Sequence, residues 1–213
     1  MYDLGGAFAG RDINPGTNLL VAGPPMTGKR RLTFDMLAHG NRAGDGSILV
    51  TTKSAGEQVL SEYESRLDGP DAPIGVVDCV SKQQGMAPQR TEGIEFASSP
   101  VDMTGIGIKL SEYLHRFYDS GVRSNRIAFD SLSTLLMYSN LQTVFRFLHV
   151  FTGRVQSAEA IGLFVIDSSA HDAQTMSTLR QLFDGEIEVR EDEDDGSEIR
   201  LKGVGPTTEW RRV

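Results

Sequence analysis

The 213 residues contain one cysteine, Cys79, one tryptophan, only five lysines, and no apolar run near the length that crosses a bilayer. A single thiol excludes an internal disulfide framework, and Cys79, set in the run IGVVDCV, reads as a small core residue. The missing long run, together with an N-terminus (MYDLGGAFAGRD) that lacks a basic-then-apolar leader, predicts a cytoplasmic chain without membrane insertion. Positive charge is also scarce: 21 Lys and Arg stand against 29 Asp and Glu, for a net charge of −8. That balance argues against nucleic acid as a partner, because phosphate backbones are held mainly through Lys and Arg. Much of the acid lies in EDEDDG, Glu191 to Gly196, which reads as a solvated turn rather than a metal cage. Neither internal repeats nor low-complexity tracts occur, and the length suits a single domain over 1–213.

What is present is an alternation of apolar runs and 3.6-period stretches, the pattern of an α/β fold with a mostly parallel central sheet flanked by helices. Candidate strands are 17–23, 47–52, 74–80, 126–131 and 161–167, each nearly unbroken in bulky apolar residues, as expected where both sheet faces are covered. Helical stripes run through Val59, Leu60, Tyr63 and Leu67, through Leu110, Tyr113, Leu114, Phe117 and Tyr118, and through Leu141, Val144, Phe145, Leu148 and Val155. After Asp184 the pattern turns to EIEVRE and SEIRLKG, a C-terminal antiparallel β-hairpin, with EWRRV at the end. Residues 81–104 are polar and aperiodic, a connection long enough to be functional or mobile.

Strand 17–23 runs directly into Gly23-Pro24-Pro25-Met26-Thr27-Gly28-Lys29-Arg30, and a helix with Leu32, Met36 and Leu37 on one face follows. This is a phosphate-binding loop in its working context, where backbone N–H groups and a helix N-terminus point at phosphates. Gly23 and Gly28 are expected to permit the tight turn, and Lys29 to supply the point charge for the β- and γ-phosphates. Asp130, at the end of the run RIAFD, is the candidate second half, a carboxylate that orients the water ligands of Mg2+; a helix N-cap is its alternative role.

INPGTNLLVAGPPMTGK resembles the start of the core in the KaiC-like branch of the RecA-superfamily P-loop ATPases. FASSPVDMTGIGIKLSEYL is similar to that branch's approach to the Walker B strand, and RIAFDSLSTLL to the Walker B segment itself. The resemblance spans nearly the whole chain. It implies a RecA-like P-loop NTPase fold, ATP with Mg2+ as ligands, and assembly as a homo-oligomer or as a mixed oligomer with an active paralogue. Lys202, in LKGVG, matches a basic segment that in this family approaches the neighbouring subunit's nucleotide.

Three departures from that pattern weaken hydrolysis more than binding. Arg30 stands where the loop normally carries the Ser or Thr hydroxyl that holds magnesium, which leaves a Mg2+ site weakened, with Arg30 free to pair with phosphate or with Asp130. Thr52 and Lys53 stand where the family places its water-polarising glutamates, leaving Glu57, four residues beyond Lys53, as the substitute base. Val204 replaces the arginine of the C-terminal basic segment. Asp167, Ser168, Ser169 and His171 fall where related folds sense the γ-phosphate. The expected function is therefore an ATP-binding regulatory or assembly subunit, a nucleotide-dependent switch with slow or lost hydrolysis that recruits a protein partner. The alternatives are an active KaiC-like ATPase, a recombination-accessory protein binding single-stranded DNA, for which loop 81–104 offers only Lys82, Arg90 and Phe96, and a ligand-free scaffold.

Overall fold

The computed structural model of the protein describes residues 1–69, 72–85, 91–192 and 196–213, apart from the side chain of Ala7. A two-stranded ribbon of β1 (Tyr2–Asp3) and β2 (Asp12–Ile13) precedes β3 (Asn18–Gly23) and α1 (Lys29–Arg42). Then come β4 (Gly46–Thr51), α2 (Gly56–Glu64), β5 (Ile74–Asp78), β6 (Ile94–Phe96), α3 (Met103–Asp119) and β7 (Asn125–Asp130). The chain continues through α4 (Leu132–Tyr138), α5 (Leu141–Ser157), β8 (Ile161–Asp167), α6 (Ala173–Arg180), β9 (Gly185–Glu191), β10 (Ser197–Lys202) and β11 (Arg211–Arg212). The main sheet has nine strands among the described residues, in the order β11-β10-β9-β3-β8-β7-β4-β5-β6.

Seven neighbouring strands, β9 to β6 in that order, are parallel, and β10 and β11 pair antiparallel at one edge. The expected hairpin is therefore present, with β9 also continuing the parallel sheet beside β3. Residues 193–195 of the acidic turn, and Arg90 of loop 81–104, lie outside the described residues. The part of that loop that is described holds β6, a three-residue edge strand too short to leave an alternating signature. Among the described residues no helix is long and apolar enough to cross a membrane.

Strand alternation divides the core between two faces. Leu19, Val21, Leu49, Leu163 and Val165 pack under α1 and α2, while Leu20, Ile48, Ile127, Phe129 and Phe164 pack under α3 to α6. Burial on both faces explains why β3, β4 and β7 are buried at every position. Two helix-stripe residues depart from expectation. Tyr118 is 58% exposed, and Phe145 stays outside the core while Phe147 and Phe151, which carry the inward face of α5 on from Val144 and Leu148, join the cluster around Phe129. Cys79 is fully buried, and burial pushes its thiol far up, which fits an inert core residue.

The parallel register brings the carboxyl ends of four strands together. Gly23 of β3 pairs with Asp167 of β8, Val165 of β8 with Asp130 of β7, and Asp130 with Thr51 of β4. Ligands bind beyond this edge in open α/β sheets, and every remaining candidate site residue except Lys202 lies near it.

Candidate functional site

The loop closes as a cradle because its backbone and its neighbours leave few alternatives. Gly28 takes φ 74°, the left-handed region that glycine enters without a Cβ penalty, and serves as N-cap of α1. Gly23 has another reason to be glycine: a Cβ there would collide with the Val189 carbonyl of β9, so it answers to close strand packing rather than to a positive φ. The Thr27 hydroxyl donates to the Pro24 carbonyl at 2.9 Å, and Ser197 Oγ of β10 donates to the Thr27 carbonyl at 3.0 Å. The first helical bond is Leu32 N–H to the Gly28 carbonyl, so the N–H groups of Lys29, Arg30 and Arg31 precede the ladder, and no side chain caps them. Such a terminus, with its positive dipole end, is a ready anion site. Met26, 97% exposed at φ 64°, forms the outer lip.

The cleft beside the loop, about 300 Å³, is lined by Met26, Gly28, Lys29, Arg30, Lys53, Asp130, Ser131, Val165 and Asp167. Four of its charged groups, Lys29, Arg30, Asp130 and Asp167, are already paired with one another. Buried Lys29 Nζ reaches Asp167 Oδ1 at 2.8 Å and also donates to the Pro24 carbonyl. Arg30 Nη1 donates to Ser54 Oγ at 2.9 Å and lies 3.4 Å from Asp130 Oδ2; its Nη2 lies 2.9 Å from Glu62 Oε2, and its guanidinium carbon sits 5.2 Å from the Phe34 ring centroid. Burial raises the Asp130 carboxyl above its ordinary value, opposed by Arg30 and Lys53 and assisted by Asp167 and Glu62.

The donor set does not fit magnesium. Mg2+ demands an octahedron of oxygens, and here Asp130 Oδ2 faces the Arg30 guanidinium at 3.4 Å, Ser54 Oγ accepts from Arg30, and the Thr52 hydroxyl both donates to the Ser131 carbonyl at 2.9 Å and accepts from the Ser131 N–H at 2.8 Å. Two unit charges 4 Å apart repel by about 4 kcal/mol at an effective dielectric near 20, and a divalent ion doubles that, so a metal on Asp130 has first to expel the guanidinium. The cradle, by contrast, fits a polyphosphate: free N–H groups, a helix terminus and a lysine converge on one side of the cleft.

Several expected participants are placed elsewhere. Glu57 does not line the cleft; on the exposed first turn of α2 it accepts from Thr91 Oγ1 at 3.1 Å. Lys202 sits at the opposite edge of the sheet, because β10 runs antiparallel and Lys202 pairs with Glu186. From Ser197, which touches the loop, it is five residues on, about 16 Å at 3.3 Å per residue. Within the chain it reaches Glu188 Oε1 at 2.6 Å, so its expected role toward a neighbouring subunit's nucleotide is untouched by the distance from its own loop. His171 stands behind Asp167: its Nε2 is 3.0 Å from Ser133 Oγ, which accepts the Asp167 N–H at 3.0 Å, and burial pushes the imidazole below its ordinary value. Ser54, Glu62 and Ser197 were not identified from sequence. The i to i+4 spacing of Glu62 and Arg66, an ion pair across the end of α2, is the one sequence signal that could have drawn attention to Glu62.

Glu188 gives a pH prediction. Burial alone would raise its carboxyl, but hydrogen bonds from Lys202 and Arg200 outweigh this and hold it below the ordinary 4.5. A depressed carboxyl stabilises the fold above its unfolded value and loses that contribution as pH falls through the folded one. Glu188→Gln is therefore expected to lower the melting temperature at pH 7 and to flatten the acid limb below about pH 4.5, read from thermal melts between pH 7 and pH 3.

Solved structures carry the same architecture. The KaiC-like protein PH0186 of the hyperthermophilic archaeon Pyrococcus horikoshii superposes with a TM-score of 0.61 at 13% identity, covering 93% of this chain and 84% of its own. The uncharacterized protein PH0321 of the same archaeon, solved in complex with an unknown peptide, gives 0.67 at 13% identity, covering 95% and 94%. These likenesses bear out the KaiC-like, RecA-type fold expected from the motifs; at such identity they speak to fold alone. No curated protein matches the sequence. The model of a family of unknown function, DUF7504, matches residues 16–189, a span that holds the loop, Asp130 and Asp167, and the chain belongs to that family.

Proposed function

We propose that the protein is an ATP-binding regulatory or assembly subunit, a nucleotide-dependent switch whose hydrolysis is slow or lost. The observation that carries this reading is the contrast within one cleft. The loop from Gly23 to Lys29 keeps an uncapped helix N-terminus and a lysine suited to phosphates, yet the guanidinium of Arg30 stands on Asp130, and the carboxylates of the cleft are engaged by cations. Phosphoryl transfer depends on positioned charge and an oriented water; Asp130 and Asp167 are held in ion pairs, and Glu57 does not line the cleft.

A second cleft of about 310 Å³ on the other side of the loop supports the nucleoside half of the reading. Leu32, Val189, Ile199 and Val213 give it apolar walls, and Arg31 stands at its rim. A polyphosphate on α1 would direct a base and ribose there, against β9 and β10. The switch then follows from the pairing: a γ-phosphate that takes Lys29 releases Asp167 at the end of β8, and through Ser133 and His171 changes the surface at the start of α4 and α6. That surface would meet a protein partner, whether a second copy or an active paralogue, in the cytoplasm.

Titrating ATP into the purified chain while following heat, phosphate release and molecular mass tests this. The expected result is saturable binding with phosphate release at or near the uncatalysed background and a change in mass or partner affinity. Sustained turnover would favour the active ATPase instead, and salt-sensitive binding of single-stranded DNA the recombination-accessory alternative.

A further inference from the structure

We infer that Arg30 is the resident cation of this site, taking the place of magnesium, so that the ligand is bound as a metal-free nucleoside di- or triphosphate. This rests on the nucleotide reading above and adds the form in which the nucleotide enters. The guanidinium is held on several sides. Ser54 Oγ and Glu62 fix its outer nitrogens, the Phe34 ring lies against it, and Asp130 Oδ2 stands 3.4 Å away inside the cleft. Arg66 contacts the same two partners, 3.8 Å from Glu62 Oε1 and 5.8 Å from the Phe34 centroid.

The guanidinium is not saturated by these contacts. Among the described residues Arg30 Nε–H has no hydrogen-bond partner, and Nη2 meets Glu62 as an ion pair without a hydrogen bond, both nitrogens being enclosed by protein. A guanidinium carries five N–H donors in a rigid fork, is weakly hydrated, and pairs with phosphate oxygens two at a time. Arg30 follows Lys29 in the first turn of α1, so the two side chains leave the same uncapped helix end, and both line the cleft. In a magnesium site the buried carboxylate is neutralised by the metal; here it is neutralised by the protein. Asp130 accordingly serves to position Arg30 rather than to hold a water shell.

The test uses the full chain and calorimetric titration of ATP, once in EDTA and once in excess magnesium. The expected affinity in EDTA equals or exceeds that in magnesium. Arg30→Thr, which restores a hydroxyl, is expected to weaken binding in EDTA by about tenfold, the equivalent of 1.4 kcal/mol, and to make it recover on adding magnesium. As a readout independent of any variant, the electron-spin resonance of Mn2+ mixed with ATP and the wild-type chain is expected to match that of Mn2+ with ATP alone. Wild-type affinity that falls about tenfold or more on chelation, or Mn2+ immobilised on the protein, overturns the inference while leaving the nucleotide reading intact. No binding of ATP in either condition overturns both.

Discussion

Lys29→Ala is expected to weaken ATP binding by about a hundredfold or more, and the reason is a double loss. A hydrogen bond to a charged group contributes about 1.5 to 3 kcal/mol, and each 1.4 kcal/mol is tenfold in affinity. Removing the ammonium also frees Asp167, whose Oδ1 it holds at 2.8 Å, to repel the phosphates that take its place. The two effects act in one direction and together exceed a single lost contact. Calorimetric titration of the wild type and the variant, with circular dichroism to confirm that both are folded, gives the comparison. An affinity within about threefold of wild type, worth well under 1 kcal/mol, would mean that the phosphates do not lie in the cradle.

The layout of the sheet and the place of the loop were legible because both write long, repeated signals. β3, β7 and β8 are buried on both faces and so appear as unbroken apolar runs, and Gly28 is demanded by a backbone angle that few other residues adopt. The occupants of the cleft rim were less legible. Glu62 reaches Arg30 from the far end of α2, and Ser197 reaches Thr27 across 170 positions, contacts that sheet order creates and no local spacing records. Lys202 is held far from its own loop for the same reason: the antiparallel turn of β10 carries it to the other end of the sheet, so only a nucleotide on a neighbouring subunit could meet it. Gly23 shows the converse: the residue was right, while its reason, the Val189 carbonyl, lies on a strand more than 160 positions away.

The geometry of the cleft depends on a strut at the other end of the same two elements, and Arg126→Ala is expected to expose it. Arg126 lies four residues before Asp130 on β7, and Met36 six residues after Arg30 on α1. Its Nη1 donates to the Met36 carbonyl at 2.8 Å, its Nε to Asp45 Oδ2 at 2.8 Å, and its guanidinium lies so close over Gly40 that no Cβ fits there. Thus α1 is pinned to β7 twice, by Arg126 at one end and by Arg30 on Asp130 at the other. Removing one member of a buried pair leaves the other charge uncompensated and costs about 3 to 5 kcal/mol, so urea denaturation of the alanine variant should show a loss of that order. Arg126→Met with Asp45→Asn, which removes both charges and fills most of the volume, is expected to recover much of the loss, because it is the stranded carboxylate rather than the missing pair that costs most. In the folded fraction of the single variant, α1 is free to shift against β7, and nucleotide affinity should fall although the substitution lies about 13 Å, four strand residues, from Asp130. A single variant within about 1 kcal/mol of wild type would show that the strut does not hold the helix, and that the Arg30 contact must fix the cleft alone.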